Sequence, residues 1–161
     1  GRRPLVTEVQ ALIAPSSAPQ PRRVTSGLDS ARIAMMLGVL ERRAGLKLAT
    51  SDCFVATVGG VRLLEPATDL AIALAIASSV NDIALPSGLI AIGEVGLSGD
   101  VRKVTALTRR LAEAARLGFT DAIIPRGAKS DLNAPDIRGH EVASLSEALA
   151  VARKLASESK S

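Results

Sequence analysis

Residues 70–77 read Leu-Ala-Ile-Ala-Leu-Ala-Ile-Ala, the longest unbroken apolar run in the chain, and the segment through Val80 continues apolar all round. A helix of this composition has no polar side to give to water, so it belongs inside the domain and not on its surface. The run is far short of the roughly 20 residues that a membrane span requires. The rest of the interior must be built almost without rings: of 161 residues, 47% are hydrophobic but only 1% are aromatic, namely Phe54 and Phe119. The core is therefore Ala, Leu, Val and Ile packed between closely approaching elements. A chain of this length is one ordinary domain, and its apolar share is ample for a folded one.

The same composition excludes several kinds of function. With no Trp or Tyr there is no set of platforms on which bases could stack, which argues against sequence-specific or single-strand nucleic-acid binding by stacking. One cysteine (Cys53) and one histidine (His140) exclude a disulfide framework and an all-protein structural zinc site, and leave a histidine-based triad only through His140. The cysteine usage predicts a cytoplasmic protein. Gly1-Arg2-Arg3-Pro4 is not a secretion signal, and a start without Met reads as part of a longer protein. Net charge is +4, with arginines paired at 2–3, 22–23, 42–43 and 109–110 and with Arg102 beside Lys103. Such pairs are either solvated surface or contacts for an anionic partner such as DNA.

Hydrophobic periodicity and turn residues divide the chain into interleaved strands and helices. Leu5–Ile13 reads as a strand, closed by the turn-rich segment Pro15–Pro21 and followed by a short strand over 22–25. Asp29 or Ser30 caps a helix to Ala44, with Ile33, Met36, Leu37 and Leu40 on one face and Gly45 as its stop. Phe54, Ala56 and Val58 alternate in a second long strand, which Val61–Leu64 continues beyond Gly59-Gly60. Thr68 or Asp69 opens the buried helix; Leu89–Ile92 is a strand, and residues 93–104 form a glycine-punctuated hairpin. Thr105 caps a helix with Leu107, Leu111, Ala114 and Ala115 facing in, and Gly118 ends it. Short strands at 122–124 and 140–142 and a final helix over 145–155 complete the set, with residues 157–161 expected to fray. The pattern predicts a single α/β (α+β) domain, a mixed sheet with packed helices, spanning residues 14–156.

Few residues offer chemistry. Gly93, Gly96 and Gly99 do not have dinucleotide-fingerprint spacing, and no Gly-x-x-x-x-Gly-Lys-Ser/Thr occurs, so they read as turn residues and the chain by itself is not expected to bind ATP. His140 has no evident partner and reads as a surface histidine. Glu65, Asp69, Glu94 and Asp100 lie near glycine turns, where capping and turn roles stand against a metal site; no metal is expected.

The order of these motifs resembles the proteolytic domain of Lon-type proteases over about residues 50–127: a strand, Gly59-Gly60, Glu65-Pro66-Ala67-Thr68-Asp69 opening a buried helix, Gly93-Glu94, Gly99-Asp100-Val101, a helix, and Ile123-Ile124-Pro125. The resemblance implies a Lon-protease-like fold of the ribosomal-protein-S5-domain-2-like type. It places the family's serine nucleophile at Ala67 and its lysine base at Arg110, 43 residues apart as the family requires. Alanine carries no nucleophile and arginine stays protonated at any working pH, so both halves of the dyad are missing.

The longer segments are closer still to the bacterial RadA (Sms) family. Arg3–Leu12 is similar to the stretch joining that family's ATPase core to its C-terminal domain, with residues 1–13 as the linking strand. Gly27–Arg32, Leu40–Leu46, Val58–Arg62 and Gly93–Arg102 resemble it as well, so that the likeness runs over residues 3–155. The magnesium-chelatase-related ComM proteins share the Gly-Glu…Gly-x-Val-Arg hairpin but not the strand at Glu8–Ala11. The resemblance implies a DNA recombination and repair factor: a hexameric ring with a zinc finger, a RecA-like ATPase core and this domain, driving branch migration in the bacterial cytoplasm and meeting RecA recombinase through the full-length protein. ATP, magnesium and zinc would belong to parts outside this chain, which has neither the zinc-finger cysteines nor the Walker lysine.

Three readings follow. The chain is a non-proteolytic assembly and DNA-binding module, with sequence-independent phosphate contacts from Arg102, Lys103, Arg109 and Arg110 or from Arg22, Arg23, Arg126 and Lys129. Or it is a pure oligomerisation scaffold, whose basic residues are solvated surface or subunit salt bridges. At the Arg109–Arg110 site the alternative to DNA contact is that Arg110 is held by a carboxylate such as Asp69 and serves packing. Or it is a peptidase with a displaced dyad, Ser98 with Lys103.

Overall fold

The computed structural model describes residues 8–131 and 136–159, so the expected linking strand is seen only from residue 8 and its first part lies outside the described residues. Strand β1 (Val9–Pro15) pairs antiparallel with β3 (Ser51–Thr57), and β2 (Arg23–Ser26) lies parallel on the other side of β3. A second sheet is all parallel in the order β4 (Leu89–Ala91), β7 (Asp121–Pro125), β8 (Arg138–Val142). Strands β5 (Glu94–Val95) and β6 (Val101–Arg102) form a separate antiparallel hairpin, β5 packing against α2.

Four helices cover these strands: α1 (Ser30–Ala44), α2 (Asp69–Asn81), α3 (Leu107–Arg116) and α4 (Leu145–Ser159). The apolar run forms α2, and every residue from Asp69 to Ala77 is buried. It packs against β1, α1 and α4. The main core gathers Leu70, Leu74 and Ile76 with Met36, Leu40, Val55, Ile123 and Leu145. The parallel sheet serves two layers because successive side chains alternate in direction. Leu89, Ala91 and Ile123 join the α2 side, whereas Ile90, Ile92, Ala122 and Ile124 join a second cluster with Leu107, Leu111 and Ala114 of α3. Strands β4 and β7 are buried on both faces, whereas the edge strand β8, Arg-Gly-His-Glu-Val, is buried only at Val142.

Helix α1 is built as its sequence predicts. Asp29 is its N-cap, its carboxylate accepting the Ala31 amide at 2.9 Å, and Gly45 closes it in the left-handed conformation at φ 74°. Arg42 and Arg43 occupy its last turn, where the helix dipole favours positive charge.

Elsewhere the structure corrects the sequence reading. In β3 the buried apolar residues are Cys53 and Val55, with Asp52 the buried polar one; Phe54 and Ala56 are half-buried, and Val58 lies beyond the strand. Leu12 and Val24 stand abreast of Phe54 in the register and are 60% and 49% exposed, so this face of the sheet is open. Val61–Leu64 does not continue the strand. A 3-10 turn over 58–60 breaks it, and only Leu63 forms a bridge, with Leu28. Thr105 does not cap α3, whose N-cap is Ala106 in a left-handed conformation without a side-chain bond; burial of Leu107 and Leu111 holds that end in place of a cap. The last helix runs past Leu155 to Ser159, with Leu155 and Ala156 buried beneath it. No described helix is long and apolar enough to cross a membrane.

Leu74 is 1% exposed at the centre of α2. Leu74→Ala is expected to lower unfolding stability by about 2–5 kcal/mol, read from a urea titration, because the surrounding helices cannot collapse fully onto the space left behind.

Candidate functional site

The head of α2 is the most heavily organised polar region of the domain. A 3-10 turn, Pro66–Thr68, leads into the helix, and Ala67 at its centre is buried in the cluster that also holds Leu107, Leu111 and Ala114. Arg110 projects from the flank of α3 toward the same place. Its Nη2 donates to Glu65 Oε2 at 2.5 Å and its Nε to the Thr105 carbonyl at 3.3 Å, leaving the side chain 18% exposed. The two positions that sequence pairs as vestigial nucleophile and base therefore lie on one side of the domain, joined through Glu65.

The carboxylate beside Arg110 is Glu65, not Asp69. Asp69 is 0% exposed and has another partner. Arg32 of α1 donates its Nε to Asp69 Oδ1 at 2.8 Å and its Nη2 to Oδ2, and the Val95 amide donates to Oδ2 at 3.1 Å. These hydrogen bonds push the Arg32 pKa up, and the nearby negative charges of Asp69, Glu94 and Asp29 add to the effect. Glu94 Oε2 lies 4.0 Å from the same guanidinium. The expected capping role of Asp69 is replaced by an ion pair; Thr68 is the N-cap and makes no side-chain bond. Nothing in local sequence spacing joins Arg32 to Asp69, 37 residues apart. The legible signal was a carboxylate at the head of an otherwise apolar, fully buried helix, since a buried charge requires a partner.

The hairpin has its own small network. Ser98 Oγ donates to Asp100 Oδ1 at 2.6 Å and Arg102 Nε to Oδ2 at 2.7 Å, which together hold the Asp100 carboxyl down to about 2. A Cβ on Gly96 would displace the Asp100 carboxylate and the Arg102 guanidinium from their present places, and Gly99 takes φ +84° at the turn. The glycines shape a turn, as expected. Ser98 is thus engaged by Asp100, while Lys103 leaves the strand in a different direction: a methyl group on Gly127 would sit 3.2 Å from its Nζ. No hydrogen bond joins Ser98 to Lys103 among the described residues.

The remaining candidate cations separate by whether they already have partners. Arg22 donates from its amide and from Nη2 to Asp52, at 2.7 and 3.2 Å, and its guanidinium lies over Phe54, 5.3 Å from the ring centroid. The amide bond above all draws the Asp52 pKa down. Arg23 donates to the Ser51 and Leu48 carbonyls. Both residues bind β2 to its surroundings. Arg109 is exposed on the side of α3 opposite Leu107 and Leu111 and makes no ion pair among the described residues. Arg126 is loosely held, 3.6 Å from Glu147 and still 71% exposed. The Lys129 amide donates to Glu141 Oε2 at 2.7 Å, which leaves its exposed ammonium group without a carboxylate among the described residues. Lys103 Nζ reaches the loop at Gly127, the loop that also carries the exposed residues Arg126 and Lys129.

His140 is not an isolated surface residue. Its Nε2 is 2.9 Å from Asp121 Oδ1, which also takes Arg138 Nη2 at 2.9 Å, and Thr120 Oγ1 donates to Oδ2 at 3.1 Å. Burial pushes the Asp121 carboxyl up, but the bonds from His140, Arg138 and Thr120 outweigh it and leave the pKa below its ordinary value. The parallel register that sets Arg138 beside Asp121 and His140 two residues on creates this cluster. Among the described residues no group of three or more His, Cys, Asp or Glu side chains is placed to hold a metal ion.

The arrangement is a mixed α/β domain with an ion-paired helix head and an exposed basic corner, and residues 60–128 match the family profile described as subunit ChlI of Mg-chelatase. The chain is 56% identical over 130 residues, 81% of its length, to the DNA repair protein RadA of Mycolicibacterium smegmatis, covering 28% of that protein. It is 45% identical over 152 residues to RadA of Escherichia coli and 44% over 151 residues to RadA of Haemophilus influenzae, in each case 94% of this chain and 33% of the relative. The chain belongs to the RadA family of DNA repair proteins, and it spans about a third or less of the length of these curated relatives.

Two outcomes test the ionic network. Asp69→Ala is expected to cost about 3–5 kcal/mol in a urea titration, since it leaves Arg32 without its partner at the helix head. Asp121, with its lowered folded-state pKa, contributes stability above the unfolded value of 3.8 that is lost as pH falls through the folded one. The wild type should therefore lose more stability between pH 7 and pH 3 than Asp121→Asn does, compared by urea midpoints at each pH.

Proposed function

We propose that this chain is a non-proteolytic, Lon-like module of a RadA-type DNA repair motor, which helps assemble the motor as a ring and holds DNA by its phosphates without reading sequence. The observation that supports DNA contact is that Lys103 Nζ reaches the loop at Gly127, which also carries the exposed Arg126 and Lys129, with Arg109 exposed on the neighbouring helix. Lys103, Lys129 and Arg109 make no ion pair among the described residues and are available to neutralise phosphates and release counterions, and Arg126 is held by Glu147 only at 3.6 Å, whereas Arg102 and Arg110 are committed to Asp100 and Glu65. A duplex-wide electrostatic grip needs no base contact, which suits a protein that must act on any sequence.

The Lon-like assignment rests on the spacing of Ala67 and Arg110 and on their meeting at one helix head. A serine–lysine mechanism needs a nucleophile and a base that can lose its proton. Alanine supplies no nucleophile, and an arginine ion-paired to Glu65 cannot act as the base. Ring assembly rests on family membership and on the exposed aliphatic side chains Leu12, Val24, Val58, Val61 and Leu64. In this reading the hexameric ring, ATP hydrolysis with magnesium, zinc binding and any meeting with RecA recombinase in the bacterial cytoplasm are properties of the whole protein. A scaffold without DNA contact is the rival reading, favoured by the number of arginines already held within the domain.

Fluorescence anisotropy with a labelled oligonucleotide separates these readings. Binding should weaken steeply with salt and vary little with sequence. Lys103→Ala with Lys129→Ala should reduce affinity and lower the salt slope by up to about two contacts' worth, while Arg102→Ala changes both less. Absence of salt-dependent binding would leave the scaffold reading. Sedimentation of the chain should give a multimer in either case, and hydrolysis of an unfolded protein that Ser98→Ala abolishes would establish a displaced dyad instead.

A further inference from the structure

Strand β2 forms one edge of the first sheet, whose order is β1-β3-β2. Cys53 N donates to the Arg22 carbonyl at 2.8 Å, and Arg23 stands opposite Cys53 in the parallel register. Alternate residues of such a ladder bond toward the neighbouring strand, so Val24 and Ser26 face β3 while the amides and carbonyls of Arg23 and Thr25 point outward. These outward groups have no backbone partner among the described residues. The edge closes only at Gly27, whose carbonyl accepts Leu63 N at 2.8 Å. A free edge is a template for another strand, and proteins commonly guard one with an outward charge. Here the guard is turned away: the Arg23 guanidinium folds back to donate to the Ser51 and Leu48 carbonyls.

Helix α1 runs beside this edge, and a cavity of about 280 Å³ lies between them. Arg23 and Thr25 wall it on the strand side, Ala34, Leu37 and Gly38 on the helix side, and Leu48 at one end. A Cβ built on Gly38 would meet nothing within 4 Å, so packing within the domain does not call for glycine there. Glycine inside a helix costs stability relative to alanine, and what it leaves here is room in the wall of the cavity. The polar groups at the Leu48 end are already engaged. Leu48 N donates to Glu41 Oε1 and the Leu48 carbonyl accepts Arg23 Nη2, both at 2.9 Å. The cavity is thus smaller than the roughly 300–1,000 Å³ of small-molecule pockets, and it lacks the free convergent polar groups that orient such ligands. Its scale and its small apolar wall suit the alternate side chains of an extended peptide. Arg42 follows Gly38 by one turn on the same side of α1. It is exposed and makes no ion pair among the described residues.

We propose that an extended, acidic peptide segment of a partner protein docks here as a fourth strand of the sheet. Its main chain exchanges hydrogen bonds with Arg23 and Thr25, and its alternate small apolar side chains seat against Ala34 and Gly38. An acidic side chain at its end meets Arg42, in keeping with the net charge of +4. A second copy of this chain fits the groove poorly. The side chains that β2 itself would insert are Arg23 and Thr25, and the other polar edge strand, β8, reads Arg-Gly-His-Glu-Val. Neither supplies the small apolar residues that the cavity accommodates.

The probe is a fluorescently labelled peptide, Asp-Val-Ser-Val-Thr-Val-Ser-Val-Asp, acidic at both ends so that it fits in either chain direction. Anisotropy with the whole chain should show saturable binding below about 1 mM. Hydrogen exchange read by mass spectrometry should slow over residues 23–26 when the peptide is bound. Gly38→Leu fills the cavity from the helix side; it should weaken binding at least roughly tenfold while the thermal midpoint stays or rises. Gly38→Ala should raise the midpoint and weaken binding less. Arg42→Glu should weaken binding of this peptide and strengthen binding of the same peptide with Lys in place of Asp. Wild-type affinity in Gly38→Leu, or unchanged exchange over residues 23–26, overturns the groove as the site. Equal affinity of the wild type for the Asp and Lys peptides overturns the acidic partner. Absence of peptide binding overturns the proposal, and if Gly38→Leu then also lowers the mass of the chain in sedimentation, a second copy is the occupant instead.

Discussion

The ion pair between Arg32 and Asp69 is the constraint from which the rest of the domain can be followed. Asp69 is buried at the head of a helix that is apolar on every other side, and a lone carboxylate there would be strongly unfavourable. Arg32 and the Val95 amide satisfy it together, so one carboxylate fixes α1, α2 and the β5–β6 hairpin at a single point. Leu70 N donates to the Gly93 carbonyl and Gly93 N to the Ala67 carbonyl, both at 3.1 Å, which locks the strand leaving β4 against the same helix entrance. A purely apolar helix can slide or rotate among apolar neighbours at little cost. A buried pair with directional hydrogen bonds removes that freedom.

From this point the placement of the exposed cations is set indirectly. The hairpin held at Val95 returns through Val101, whose amide is taken by Ala143, and this carries Lys103 to the loop at Gly127. The hairpin turn meets Arg43 at Gly99, and α4 starts beside it. Lys103 and Arg43 thereby each lie against a loop distant in sequence, while Arg102 and Arg110 are drawn into pairs with Asp100 and Glu65. Under the proposed Lon-like alignment, the Arg110–Glu65 pair occupies the place of a catalytic base. The geometry that would have activated a nucleophile there joins two elements instead.

Much of the frame was legible in the residues. Asp29 and Gly45 delimit α1, the glycine-punctuated stretch gives the hairpin, and the alanine-rich run gives a buried helix, because each follows from local backbone preference or from a period that admits one solution. Boundaries that depend on packing were less legible. Thr105 has the chemistry of a cap, yet the burial of Leu107 and Leu111 decides where α3 begins, and the last helix outruns its predicted end because Leu155 and Ala156 are covered. Phe54 reads as a core residue by type, but the pleat turns Cys53 and Val55 inward, and a one-residue step in a strand reverses the face.

The sequence by itself determined that this chain would be an α/β domain around an all-apolar helix, without an aromatic stacking surface, and that no serine or lysine stands at the positions its likeness to Lon-type proteases makes catalytic. These are statements about residue type and local period, and they survive any arrangement of the elements. Only the tertiary structure decided which charges are free. Whether Arg110 met Asp69 or Glu65, whether His140 had a partner, and whether Lys103 turned toward Ser98 or toward the loop at Gly127 depended on how the packed elements were arranged. Such pairings have no local signature, because a side chain several ångströms long selects among whatever carboxylates and carbonyls the packed elements bring within reach.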